Sequence, residues 1–144
     1  MTAHAWLLDT GLATPMAIGQ RELLQIITAP QTFSVPLCPE YARHVLFWQQ
    51  RMVPVMDFGL RMGANPHPQN LLALVGFHDA LTGVIQLGAI VLRQAPRQVA
   101  VNDAQALQAE DLPVDWRALA ISCFAHEGSA IPVLHLGKVF AAVH

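Results

Sequence analysis

The strongest constraint in this sequence is an eight-residue segment that occurs twice. Residues 52–59 read Met-Val-Pro-Val-Met-Asp-Phe-Gly, and residues 130–137 read Ala-Ile-Pro-Val-Leu-His-Leu-Gly. The prolines and the glycines share one offset of 78 residues (132 minus 54, and 137 minus 59). Each copy follows another apolar run, Val45–Trp48 or Ile121–Ala125. The sequence therefore predicts two structurally equivalent halves, each containing a hairpin.

The proline and glycine of the repeat indicate what each half folds into. Proline cannot donate a hydrogen bond to a sheet, so Pro54 and Pro132 are expected at edges or bulges, where a short sheet can curl into a small barrel. Glycine permits the tight turn that leaves the strand. Asp57 is expected to cap a short turn over residues 58–62, and His135 occupies the same place in the second copy.

The chain is predicted to be mainly β. Its 144 residues suit one ordinary domain, and ten prolines and nine glycines divide it into short segments typical of a barrel or sandwich. The predicted strands are Ala5–Asp9, Met16–Gly19, Val45–Gln49, Met52–Phe58, Leu71–Phe77, Gly83–Arg93, Leu119–His126 and Ala130–Leu136. Short helical pieces are expected at Gln20–Ile27, Ala104–Glu110 and Leu136–Val143.

Composition excludes several classes of protein. Hydrophobic residues make up 53% of the chain and charged residues 12%, which excludes intrinsic disorder. A formal net charge of -2 provides no basic field for phosphate backbones, so we expect no nucleic-acid partner. A surface with so little charge is also typical of proteins whose faces are covered by partners.

The longest apolar stretch, Leu71–Leu92, is long enough to span a bilayer but contains His78 and Asp79 in a turn-like segment. Two buried strands joined by that turn explain it better than a helix inserted in a membrane. The N-terminus lacks the basic residues of a signal peptide. Cys38 and Cys123 fit isolated buried thiols in a reducing environment, so we expect a cytoplasmic protein.

No catalytic motif is visible. The sequence contains no phosphate-binding glycine loop and no Gly-x-Ser-x-Gly elbow, and its few carboxylates fall mostly in turn-like segments. We therefore expect no enzyme and no cofactor. Cys123 and His126 have the spacing of metal ligands, and His135 follows nine residues later, but a structural zinc site needs a second pair.

Large aromatic residues adjoin uncharged polar ones at a predicted hairpin turn, Phe47-Trp48-Gln49-Gln50-Arg51. Exposed aromatics with arginine are typical of protein–protein contacts, whereas strand alternation requires one of each two neighbours to face the core. We expect one of the two aromatics to point outward.

The ordered set of segments resembles the CheW family. Met16-Ala17-Ile18, Leu23 and Gln25-Ile26-Ile27 are similar to its tyrosine-alanine-isoleucine and its later valine-x-glutamate-isoleucine-isoleucine. The run from Pro36 to Leu46 resembles its proline-x-x-proline segment and the strand that follows. The two copies of the repeat resemble its isoleucine-proline-valine-isoleucine-aspartate-leucine strand and its closing strand. The resemblance spans almost the whole chain.

The resemblance implies a fold and a function. It implies two small SH3-like β-barrels packed together in one domain over residues 1–144, intertwined, with halves at roughly 15–65 and 70–140. Members are non-enzymatic adaptors that couple chemoreceptors to the regulatory domain of a CheA-type histidine kinase. The candidate partner-binding residues are Leu23, Gln25, His44, Phe47, Trp48, Gln49 and Arg51.

Several positions depart from the family pattern. His44 replaces a usual glycine, and Phe47-Trp48-Gln49-Gln50 replaces asparagine-leucine-arginine-glycine in a stretch that contributes to receptor coupling. Gln25 replaces a glutamate and His135 a common aspartate. The chain is therefore identified as a divergent member, of the kind found in accessory chemosensory systems such as those controlling pilus-driven motility.

Two other interpretations remain open from the residues. A small barrel protein could bind an apolar ligand between its halves, or a metal through Cys123, His126 and His135. Alternatively, the chain could be a structural subunit that only dimerises.

Overall fold

A computed structural model describes residues 2–79 and 81–141. Strands dominate it, and each helix is short. The strands are β1 (Thr2–Leu8), β2 (Met16–Gly19), β3 (Leu23–Thr28), β4 (Thr32–Ser34), β5 (His44–Trp48), β6 (Arg51–Met56), β7 (Leu71–His78), β8 (Ile85–Val91), β9 (Arg97–Asn102), β10 (Ala106–Leu107), β11 (Ala120–His126) and β12 (Ser129–Leu134). The helices are α1 (Phe58–Arg61), α2 (Val114–Arg117) and α3 (Leu136–Ala141), with 3-10 turns at Glu40–Ala42, Asp103–Gln105 and Ala109–Asp111.

The strands form two curled six-stranded sheets, so the predicted mainly β architecture is confirmed. One sheet has the order β4-β5-β6-β8-β7-β3, and we call it the first barrel. The other has the order β10-β11-β12-β2-β1-β9, and we call it the second barrel. The strands β7 and β8 belong to the first barrel, while β1 and β2 belong to the second. Strand pairing therefore joins residues on both sides of positions 65–70. The first barrel is one continuous stretch, β3 to β8, and the second barrel combines the strands before and after it.

The repeat seen in the sequence is a repeat of structure. The strands β6 and β12 begin and end 78 residues apart, at 51 and 129 and at 56 and 134. Their hairpin registers also agree, because Val45 faces Pro54 in the first barrel and Cys123 faces Pro132 in the second. The two halves therefore share one pairing scheme, not only a similar strand.

The equivalence extends to the strands that the sequence repeat does not cover. Val55 of β6 pairs in parallel with Ala89 of β8, and Val133 of β12 pairs in parallel with Ala17 of β2. These matched pairs make β8 the counterpart of β2. By the same order, β7 corresponds to β1 and β3 to β9.

The predicted caps are present after both copies of the repeat. The Asp57 carboxylate accepts a hydrogen bond from the Leu60 amide at 3.2 Å and caps α1. His135 Nδ1 accepts one from the Lys138 amide at 3.2 Å, three residues on, as in the first copy. A short helix follows each strand because the chain turns at a capped residue.

The largest apolar cluster of the described residues lies between the two barrels. It takes Met16 and Ile18 from β2 of the second barrel and Ile90 from β8 of the first. The helix α3 adds Phe140, which stacks on Phe77 with ring centroids 5.7 Å apart. Phe140 needs a glycine beneath it, because a Cβ at Gly88 would lie 2.4 Å from its ring.

Two of the expected helices are wrong. Gln20–Ile27 was expected to be helical, but Leu23–Thr28 is β3, because its β-branched residues pair with β7. A bulge between Leu23 and Gln25 disturbs the alternation that would identify a strand. Ala104–Glu110 contains two 3-10 turns and the short β10, because the Asn102 and Gln108 segments cap each turn separately. The third helix is confirmed as Leu136–Ala141, and residues 142–144 lie outside the described part.

The apolar stretch 71–92 forms the antiparallel hairpin of β7 and β8, as predicted. Asp79 holds the turn by accepting hydrogen bonds from the Leu81 and Thr82 amides, and these bonds lower the pKa of its carboxyl group. No helix within residues 2–79 and 81–141 is long and apolar enough to cross a bilayer.

The β5–β6 turn carries backbone strain at two positions, whereas the matching turn of the second barrel carries it at only one. Gln49 and Gln50 have φ values of 46° and 63°, whereas the matching turn has Glu127 and Gly128 at 49° and 79°. A left-handed conformation is unfavourable for a residue with a Cβ, and glycine adopts it freely.

We predict that Gln50→Gly stabilises the protein by about 1 kcal/mol, which raises the thermal midpoint by about 2–4 °C. Gln98→Gly in the exposed part of β9 is the matched control, and it should lower the midpoint because it only adds chain entropy. Thermal unfolding followed by circular dichroism measures both. A lower midpoint for Gln50→Gly would contradict the strain at this turn.

Candidate functional site

Four of the seven candidate partner-binding residues meet at the β5–β6 turn. Phe47 faces Met52 across the hairpin, and Trp48 faces Arg51. Gln49 lies in the turn between them. The hairpin therefore presents aromatic, amide and guanidinium groups within a few residues of one another.

The two aromatic side chains point to opposite faces of the sheet, as strand alternation requires. Trp48 packs against the apolar cluster inside the first barrel. Phe47 is 44% exposed, and its cross-strand partner Met52 is 58% exposed. An apolar pair of this size on the outer face contributes little to the core, and we call it the Phe47–Met52 pair.

The internal repeat provides a control for this pair within the same molecule. In the second barrel, Ala125 and Ala130 face each other at the equivalent positions. The same hairpin thus forms with two methyl groups in place of a phenyl ring and a thioether. The larger side chains of the first barrel are therefore not required for the fold, and an exposed apolar pair of this kind is typical of a contact surface.

The other three candidates lie away from this turn. Leu23 and Gln25 are on β3, at the opposite edge of the first barrel's sheet from β4. Leu23 packs partly into the cluster between the barrels, and Gln25 is exposed. His44 begins β5 at the end far from the turn, and its Nδ1 lies 3.3 Å from the Gln69 amide nitrogen. The structure thus groups the hairpin residues, while Leu23 and Gln25 lie on β3 and His44 lies at the far end of β5.

A groove of about 810 Å³ runs beside the hairpin, and of the seven candidate residues only Arg51 lines it. Arg51 and Met52 line one end, the turn region of β7 and β8 lines another side, and α3 completes it with Lys138. Leu81, Val84 and Ile85 expose large apolar side chains along it. The groove joins elements of both barrels, because α3 follows β12 of the second. Among the exposed apolar groove residues, only Val84 and Ile85 gave a signal in the sequence, because they are apolar residues directly after a turn.

The structure contradicts the metal site proposed at Cys123, His126 and His135. Residues three apart on a strand point to opposite faces, so Cys123 and His126 diverge on β11. His135 lies at the other end of the hairpin, where its amide bonds to Leu119, while His126 faces Ser129 beside the turn. Across residues 2–79 and 81–141, no three His, Cys, Asp or Glu side chains are placed to hold a metal ion.

The environment of Cys123 also disfavours its thiolate. Burial raises the pKa of the Cys123 thiol, with smaller contributions from the carboxylates of Asp111 and Glu110. Its Sγ donates a hydrogen bond to the Gln108 carbonyl at 3.2 Å. Cys38, in contrast, is partly exposed, so the expectation of two buried thiols is confirmed for Cys123 and wrong for Cys38.

We predict that a disulfide reagent at pH 8 modifies Cys38 at least about tenfold faster than Cys123, because the reactive species is the exposed thiolate. Mass spectrometry of peptides from the native protein measures the two rates, and addition of denaturant should equalise them. Equal rates in the native protein would contradict the buried position of Cys123.

The fold has a solved counterpart. Neither a family model nor a curated protein matches the sequence. The solved structure of the scaffolding protein TtCheW from Thermoanaerobacter tengcongensis is similar with a TM-score of 0.76 and 12% sequence identity, over 97% of this chain and 93% of that one. The resemblance to the CheW family is therefore confirmed at the level of the fold. This chain has the CheW architecture of two SH3-like barrels packed together.

Proposed function

We propose that this protein is a non-enzymatic adaptor in a bacterial chemosensory system, where it couples chemoreceptors to a CheA-type histidine kinase. The observation that supports this most is the similarity in fold to a scaffolding protein along nearly the whole length of both chains. The exposed apolar surfaces on the first barrel agree with a scaffold, since a scaffold acts by binding two partners at once.

The kinase regulatory domain is the proposed partner of the β5–β6 hairpin. Phe47 and Met52 offer apolar area, and Arg51 and Gln49 offer hydrogen-bond donors at the border of that area. Aromatic residues and arginine dominate the energetics of protein interfaces when water is excluded around them. Trp48 supports the hairpin from inside the barrel.

A receptor helix is the proposed occupant of the groove beside α3. An amphipathic helix binds a groove through an apolar stripe, and Leu81, Val84 and Ile85 supply matching apolar side chains. Arg51 and Lys138 line the groove together with one carboxylate, Asp79, so the excess of positive charge favours acidic residues on the helix flanks. Leu23, Gln25 and His44 complete the proposed partner contacts, and pilus-driven motility is the behaviour we propose for this system.

The test is reconstitution with purified partners encoded beside the gene. We predict that bead-bound receptor signalling helix retains the kinase regulatory domain only when this protein is added. Phe47→Ala should weaken kinase binding at least about tenfold, equivalent to about 1.4 kcal/mol, because it removes the largest exposed group of the hairpin. Ile85→Asp should release the receptor helix alone, because it places a charge in an apolar groove.

Ile121→Ala is the control, since it removes an exposed apolar side chain from the second barrel and should leave both affinities unchanged. Binding is measured by interferometry on folded variants. Failure of the native protein to bind either partner at tens of micromolar would contradict the adaptor function. Equal losses in Phe47→Ala and Ile121→Ala would contradict the assignment of the hairpin.

A further inference from the structure

The second barrel contains a cavity of about 380 Å³ that the proposed adaptor function does not use. Its apolar lining includes Ala5 and Phe124, which are buried inside the second barrel, and the half-buried Val101 and Val133. Polar side chains stand at its exposed rim: His4, Asn102, Asp103 and Ser122. The cavity therefore has an apolar interior and a polar mouth, which is the usual form of a small-molecule site.

The internal repeat shows why the space exists. In the first barrel, Leu72 of β7 faces Val91 of β8, and both are buried in its core. In the second barrel, the matching pair is Ala5 of β1 and Gly19 of β2. Two branched side chains that fill the first barrel are thus replaced by one methyl group and one hydrogen.

The neighbouring side chains do not refill the space that the small Ala5–Gly19 pair leaves in the second barrel. The adjacent pair is identical in the two barrels. Leu7 faces Ala17 in the second barrel, and Leu74 faces Ala89 in the first. Phe124 stands opposite Ile131 where the first barrel has Leu46 opposite Val53, and both residues are larger than their counterparts. The cavity persists beside Phe124 even so. The deficit is therefore local to the Ala5–Gly19 pair.

We propose that the second barrel binds a small neutral molecule with an apolar body, up to the size of a bicyclic aromatic ring, in the cavity beside the Ala5–Gly19 pair. An apolar cavity of about 150 Å³ is sufficient for benzene, so 380 Å³ accommodates a second ring. The buried residues that line it carry no charge, and the charged lining residue, Asp103, is exposed. The polar rim accommodates one hydrogen-bonding group at the outer end of the ligand.

Ala5→Leu is the variant that tests the site, because it restores the residue of the first barrel. Gly19 is less suitable, since its amide bonds to Glu22 Oε1 at 2.7 Å and a Cβ there would lie 3.1 Å from that oxygen. A second filling variant is Val101→Phe, from β9 on another wall of the cavity. Ala100→Leu is the matched control, since Ala100 is the exposed neighbour of Val101 on the same strand.

The probe is indole, added at up to millimolar concentration to the full chain with isotope-labelled methyl groups. We expect saturable shifts of the Val133 and Leu107 methyl signals, both from residues lining the cavity, in the native protein and in Ala100→Leu. Ala5→Leu and Val101→Phe should weaken binding at least about tenfold. Filling the cavity should also raise the thermal midpoint of Ala5→Leu.

The outcomes separate the alternatives. Absence of saturable shifts in the native protein would overturn the proposal, as would unchanged indole binding in a folded filling variant. If Ala5→Leu does not fold, Val101→Phe decides. Shifts of the same methyl signals on addition of the kinase regulatory domain, without any for indole, would assign the cavity to a partner side chain and overturn the proposal. The indole results do not depend on whether the adaptor function is confirmed.

Discussion

The apolar contact between the two barrels is the interaction on which the rest of the structure depends. Each sheet buries one face inside its own barrel and the other in the shared cluster, as Ala17 and Ile18 show by pointing to opposite sides of β2. Small barrels have much surface for their volume, so neither sheet could bury enough apolar area alone. The low charge of the sequence is thus partly explained by strands that are apolar on both faces.

The conserved register of the two barrels makes their differences informative. Where the first barrel has Leu72 and Val91, the second has Ala5 and Gly19 and an open cavity. Where the second has Ala125 facing Ala130, the first has the exposed Phe47–Met52 pair. A side chain that is large in one barrel and small at the equivalent position of the other is therefore not required by the fold.

The sequence alone predicted the features that depend on short-range patterns. The copies of the repeat, the β7–β8 hairpin and the Asp57 cap can each be recognised from a short stretch of sequence. The strands β3, β4 and β9 were missed for separate reasons. The bulge after Leu23 breaks the apolar alternation in β3. Strand β4 has only three residues, and β9 has only Val99 and Val101 turned inward. The residues that line the groove and the cavity could not be predicted, because both sites depend on pairings between distant strands.

The two proposed binding surfaces of the first barrel are not independent. Met52 faces Phe47 on the hairpin and also lines the groove beside α3, and Arg51 lies next to it in both settings. A partner that orders these two side chains on one surface therefore fixes them for the other. Binding free energies coupled through shared residues are reciprocal, so a receptor helix that favours the kinase domain is favoured by it to the same degree. The first two residues of β6 are the physical link through which such a scaffold would make one partner's binding depend on the other.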